Sequence, residues 1–263
     1  MNSYINNDFT IKLLPCLNDN YGFTLVHIPT NHIYVVDTPD GVAIKNDIIK
    51  QGYTLKGILN THHHSDHVGG NELLVSEFNP EVYGGANDEK RIPHITHKLH
   101  DGDKIALFDG LLDTHILSLD GHTVGLIGYY MPMIKALFVG DALFNMGCGR
   151  RFEGTPQQMW QSMSKIRDLP DDTMIYAAHE YTMSNIAFVT HYFPVSDDLK
   201  VYIDMNQKLI DNHTPTIPML LLSQKRFNPF LNADKDYVKQ VTGTINQNDS
   251  VTFDVLRQMK DNF

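Results

Sequence analysis

Within six residues the chain carries His62, His64, Asp66 and His67, in the run Thr61-His62-His63-His64-Ser65-Asp66-His67 with the pattern H-x-H-x-D-H. Grouped imidazoles make a poor core, because each neutral ring needs a hydrogen-bond partner once buried. They make a good metal site, since neutral imidazole nitrogen and ionised carboxylate are common ligands of divalent ions. In an extended turn side chains alternate, so His62 and His64 point to one side and His63 to the other. His63 is therefore read as a supporting or exposed residue. Asp66 and His67 follow near a helix start, where they would serve a second ion.

A pair of ions needs more ligands than this, and a scaffold to bring them in. Leu55 to Asn60 reads as a strand and residues 69–78 as a helix, so the motif is a strand-to-helix turn. His122 sits in a Gly-containing turn, while Asp141 and His179 each end an apolar strand. Strand ends and the loops after them are where a rigid scaffold presents catalytic groups. On this count His62, His64 and His122 hold one ion, Asp66, His67 and His179 hold a second, and Asp141 bridges both. A hydroxide completes the bridge. Two ions about 3.5–4 Å apart clamp such a hydroxide, and metal binding brings the pKa of water to about 7. No Ser, Cys or Lys nucleophile is required.

The remaining elements follow from periodicity and punctuation. Strands are expected at 9–15, 21–28, 32–37, 81–84, 111–119, 126–130, 136–141 and 173–179. Helices are expected at 42–51 and 156–168, the latter capped by Thr155 with Pro156 at its first position. After His179 the pattern turns helical, at 183–191, 197–211, from Thr216-Pro218 onward, 234–241 and 249–259, with Ser196 or Asp197 as a cap. The expected organisation is an α/β domain over residues 1–180 and a smaller helical domain over 181–263.

Composition narrows the partners. The 263 residues are 42% hydrophobic and 20% charged, which describes a globular protein with a proper core. Net charge is −10, which speaks against a nucleic-acid partner and makes any local basic cluster stand out. No apolar stretch of about 18 residues is present, so no membrane partner is expected. The segment Met1 to Asp8 lacks the charged and apolar regions of a signal peptide. The two cysteines, Cys16 and Cys148, are far apart and read as free thiols in a reducing compartment, hence a cytoplasmic protein. The expected assembly is a monomer.

Taken together, Thr-His-x-His-x-Asp-His, the Gly121-His122 turn, Gly140-Asp141 and His179 resemble the metallo-β-lactamase superfamily. Over essentially its full length the chain resembles the glyoxalase II family, the hydroxyacylglutathione hydrolases. The segments that carry this are Leu17-Asn18-Asp19-Asn20-Tyr21, Thr61 to Asn71, Thr96-His97-Lys98-Leu99, Gly140 to Phe144, Gly147-Cys148-Gly149-Arg150, Phe152 to Thr155, His179-Glu180-Tyr181-Thr182 and Asn228-Pro229-Phe230-Leu231. The resemblance implies a four-layer αβ/βα sandwich followed by an all-α domain. It implies two divalent ions per chain, zinc by default with iron or manganese as alternatives. It implies hydrolysis of S-(2-hydroxyacyl)glutathione, typically S-D-lactoylglutathione, to glutathione and D-lactate, the second step of methylglyoxal detoxification. Attack is by the metal-bridging hydroxide, with Asp66 and Asp141 as catalytic residues. Substrate binding falls to Arg150, Phe152, Tyr181, Arg257 and Lys260. Phe152 stands where tyrosine is common, so a hydroxyl hydrogen bond is lost there. Asp120 and Leu126 also depart from the family, at positions that ligate no metal. The charge pattern agrees, since Arg150, Arg257 and Lys260 form a basic set on an acidic chain, suited to an anionic peptide.

Other readings remain at this stage. A persulfide dioxygenase of the same superfamily holds one iron and does not need His67 or His179 as ligands. A lactonase or lactamase would not need Arg257 and Lys260. A nuclease is disfavoured by the net charge, and a non-catalytic metal-binding protein by the full complement of ligands.

Overall fold

Alternating apolar residues and the Pro39-Asp40-Gly41 stop predict a strand meander that gives way to a helix. In the computed structural model, residues 4–6 and 8–263 are described; the other amino-terminal positions, on which part of the signal-peptide reading rests, lie outside the described residues. The chain divides into two compact units. The first is Met1–Ser118 with Val124–Gly140, the second Leu119–Thr123 with Asp141–Phe263.

The first unit begins with β1 (Tyr4–Asn6), β2 (Phe9–Cys16), β3 (Asn20–His27), β4 (His32–Val36), α1 (Gly41–Gln51) and β5 (Thr54–Leu59). It continues with α2 (Ser65–Val68), α3 (Asn71–Phe78), β6 (Glu81–Gly85) and β7 (His97–Leu99). The helix expected over 69–78 is thus shorter, and a separate turn of helix, α2, carries Asp66 and His67. Strands β1 to β7 form one sheet in sequence order, antiparallel up to β4 and parallel from β4 to β7. Asp40 caps α1, its carboxylate accepting from Val42 N and Ala43 N, both at 3.0 Å. Ile44 and Ile48 of α1 and Leu74 of α3 bury against Ile33, Val35, Ile58 and Val82 of the sheet. Each such side chain contributes about 1.5–3 kcal/mol on burial.

A second antiparallel set in this unit comprises β8 (Lys104–Leu107), β9 (Leu112–Ser118), β10 (Ile127–Met131) and β11 (Ala136–Gly140). Aromatic rings fill the space between the two sets. Phe23 meets Phe138 at 5.5 Å between centroids, and Tyr34 meets Phe108 edge-on at 4.8 Å. Leu126, one of the positions departing from the family, is fully buried here.

The second unit holds the Leu119–Thr123 turn, β12 (Leu143–Phe144), β13 (Gly147–Cys148), α4 (Pro156–Arg167) and β14 (Met174–Ala177). Then come α5 (Thr182–Tyr192), α6 (Asp197–Asp211), β15 (Met219–Leu220), α7 (Leu221–Phe227), α8 (Asp236–Thr242) and α9 (Asp249–Asp261). Thr155 and Gln158 close a capping box on α4, and Ser196 rather than Asp197 caps α6. The helix expected from Thr216-Pro218 starts only at Leu221, because Met219 and Leu220 pair with β14 instead. A buried amide network ties the β12–β13 hairpin to the helices. Asn145 Oδ1 accepts from Tyr202 OH at 2.7 Å and from Gln224 Nε2 at 2.9 Å, and Asn145 Nδ2 donates to Asn206 Oδ1 at 3.0 Å.

Candidate metal centre

In the first unit the ligand candidates stand on the β5–α2 turn. The ring centroid of His62 lies 4.7 Å from His64 and 4.0 Å from His67. His63 turns instead to the buried carboxylate of Asp88, Nδ1 to Oδ2 3.2 Å, which Arg91 also grips. The turn is held from both sides. Thr38 N and Asn60 Nδ2 both donate to the carbonyl of His67, at 2.8 and 3.0 Å. Asn20 Nδ2 donates to Asp66 Oδ2 at 3.0 Å.

Asp37 is the orienting group the sequence did not disclose. Its carboxylate accepts from Thr61 N, Thr61 Oγ1 and His67 Nδ1, each at 2.8 Å. Asp37 adopts φ 54°, a left-handed conformation that costs a non-glycine residue energy and persists only where the surroundings enforce it. A carboxylate only accepts, so the proton of neutral His67 sits on Nδ1 and its lone pair on Nε2, 3.7 Å from Asp66 Oδ2.

In the second unit two histidines stand against one aspartate. His122 Nε2 lies 3.4 Å from Asp141 Oδ2, and His179 Nε2 lies 3.3 Å from Asp141 Oδ1. One carboxylate thus offers a separate oxygen to each of two histidines. His122 Nδ1 is 2.7 Å from the carbonyl of Arg150, which fixes the proton on Nδ1. With that tautomer, a lone pair and a carboxylate oxygen face each other at Nε2, an arrangement that calls for a cation between them. The donor set of nitrogen and carboxylate oxygen without thiolate suits zinc, iron or manganese. The residues present therefore fit divalent metal. Glycine is required close by: a Cβ on Gly149 would fall 1.9 Å from the carbonyl oxygen of Asp141. In the first unit Gly140, at φ 50°, has no room for a Cβ beside Thr61.

A cavity of about 640 Å³ in the second unit is lined by His122, Asp141, Arg150, Phe152, Tyr181 and Arg257, with Lys260 and Asp261 on its wall. Tyr181 stacks on His179, centroids 4.9 Å apart. Phe152 is 62% exposed and meets His122 edge-on at 5.1 Å. Arg257 is buried, only 5% exposed. Its NH1 donates to the carbonyl of Cys148 at 2.8 Å. Lys260 Nζ reaches Ser184 Oγ at 3.0 Å, and burial together with the neighbouring Arg257 and Arg150 lowers its pKa. Burial pushes the Cys148 thiol up to about 11, so it is no nucleophile at neutral pH.

Residues 31–179 match the metallo-beta-lactamase superfamily and residues 180–263 match the hydroxyacylglutathione hydrolase C-terminus. The chain belongs to the hydroxyacylglutathione hydrolase family. A hydroxyacylglutathione hydrolase of Maricaulis maris is 41% identical over 97% of this chain and 99% of its own length. That of Aliivibrio salmonicida is 42% identical over 96% of this chain and 99% of its own. The solved structure of a metallo-beta-lactamase from Staphylococcus aureus subsp. aureus COL superposes with TM-score 0.64 at 19% identity. It covers 98% of this chain and 72% of that one, and shows the shared fold. The chain thus combines the superfamily fold with the family's helical carboxy-terminal region, and it is a metal-dependent hydrolase. Among the described residues no helix is long and apolar enough to cross a membrane.

Proposed function

We propose that the chain binds two divalent ions, zinc by default, and that it hydrolyses S-(2-hydroxyacyl)glutathione. The residues that would hold them are His62, His64, Asp66, His67, His122, Asp141 and His179. Bound there, divalent ions would supply Lewis acidity and a water activated at neutral pH. The observation that carries this reading is Asp141, whose two oxygens each face a different histidine.

The side chains of the cavity do the rest. Asp37 and the Arg150 carbonyl hold His67 and His122 in the tautomers that ligation needs. Arg257 and Lys260, with Arg150 beside them, receive the glycine carboxylate of the glutathione moiety. Phe152 and Tyr181 supply apolar faces beside His122 and His179 for the acyl and thioester segments. The leaving thiol has an ordinary pKa of about 8.5, so its departure needs no strong acid from the protein. The functional division falls at residues 180 and 181, with the helical region supplying glutathione recognition, and the protein acts as a cytoplasmic monomer.

The test is a spectrophotometric assay with S-D-lactoylglutathione beside lactate esters that lack the peptide, before and after chelation. Hydrolysis of the thioester alone, lost on chelation and restored by metal, is the expected result. Equal turnover of the simple esters would remove the glutathione assignment.

A further inference from the structure

Asp261 is an acid on the wall of the cavity, beside the cations Arg150, Arg257 and Lys260. Helix α9 runs past residue 259 and places it one turn beyond Arg257. A single oxygen, Oδ1, lies 3.1 Å from Arg257 NH2 and 3.7 Å from Arg150 Nε. One guanidinium is buried and the other exposed, with side-chain exposures of 6% and 68%. The same two groups are the ones a substrate carboxylate would seek. Between visits by substrate, Asp261 already occupies part of their hydrogen-bonding capacity.

We propose that Asp261 is an internal competitor for the substrate's carboxylate and thereby sets the affinity of the cavity for glutathione conjugates. This rests on the reading of the cavity as the glutathione site. An incoming carboxylate must share the guanidiniums with a like charge held against them. That cost falls equally on the bound substrate and on its transition state, so it raises KM rather than lowering kcat. It falls equally on the departing peptide, which keeps the same carboxylate and leaves the faster for it. In the empty cavity Asp261 has the opposite effect, since it neutralises a buried guanidinium whose other neighbours, the Cys148 carbonyl and sulfur and the Phe230 ring, carry no full charge.

The experiment compares Asp261→Asn with the wild type. Side-chain exposure of Asp261 is 39%, so water and salt screen it and the effect is modest. At low ionic strength KM for S-D-lactoylglutathione falls about threefold, as expected for one partly exposed charge, and high salt closes the gap. Calorimetric binding of S-methylglutathione, which cannot be hydrolysed, tightens by the same factor. A conjugate whose glycine carboxylate is amidated shows no change. Asp261→Glu keeps the charge and the wild-type KM. A purely structural Asp261 gives the reverse, a KM raised for acid and amide conjugates alike and insensitive to salt, and that result overturns the proposal. Wild-type protein that binds S-methylglutathione without hydrolysing the thioester would sink the functional reading while the binding comparison still decides Asp261. Protein that neither binds nor hydrolyses removes both.

Discussion

Asp37→Asn isolates the outermost link in the chain of reasoning from hydrogen bond to metal. The substitution keeps shape and removes one acceptor. Thr61 N donates to one oxygen of Asp37 at 2.8 Å, so the amide oxygen must stay there. The amide nitrogen then faces Thr61 Oγ1 and His67 Nδ1, where Oδ2 had accepted from both at 2.8 Å. The threonine hydroxyl can turn and accept. The imidazole can accept only by moving its proton to Nε2, and a protonated Nε2 has no lone pair for a metal. Changes of this kind next to a ligating histidine cost about 10–100-fold in metal affinity, or about 1.4–2.8 kcal/mol. Metal-loaded protein is titrated with a chromophoric chelator while circular dichroism follows the fold. Metal should leave at a chelator concentration lowered by that factor, with the fold intact. Release only at wild-type chelator concentrations would refute the tautomer argument.

Three other outcomes follow from the same geometry. Asp141→Asn should lower metal content and turnover together; full activity at normal metal content would remove the shared-ligand role. Asn145→Ala strands the buried partners Tyr202, Gln224 and Asn206, and should cost about 1–3 kcal/mol in urea denaturation; an unchanged midpoint would show the network to be dispensable. Alkylation of Cys148 by iodoacetamide should be slow at neutral pH and rise as pH climbs toward the thiol's pKa of about 11, because only the thiolate reacts. Rapid labelling of native protein near neutrality would contradict its burial.

Much of the scaffold was legible because local rules and tertiary packing agree. The alternation that sends His62 and His64 one way and His63 the other is a property of extended backbone, and Asp88 receives His63 accordingly. Caps at Thr155 and Ser196 are local chemistry and stand where the residues place them. Helix α7 starts later than Thr216-Pro218 predicts because Met219 and Leu220 have a distant partner strand that no local signal announces. The end of α9 was set too early, and with it the relation of Asp261 to Arg257 was missed. Asn20 and Asp37 escaped for the same reason, each gripping a residue of the histidine turn from far along the chain.

The sequence by itself determined which donors this protein owns. Imidazole, carboxylate and guanidinium are properties of single residues, and their order along the chain is enough to place it in its family. Only the tertiary structure decided how those donors are aimed. Which nitrogen of His67 or His122 keeps its proton depends on an acceptor brought from elsewhere, and so does the burial of Arg257. Lone-pair direction and desolvation are set by neighbours in space, and those neighbours exist only once the chain has folded.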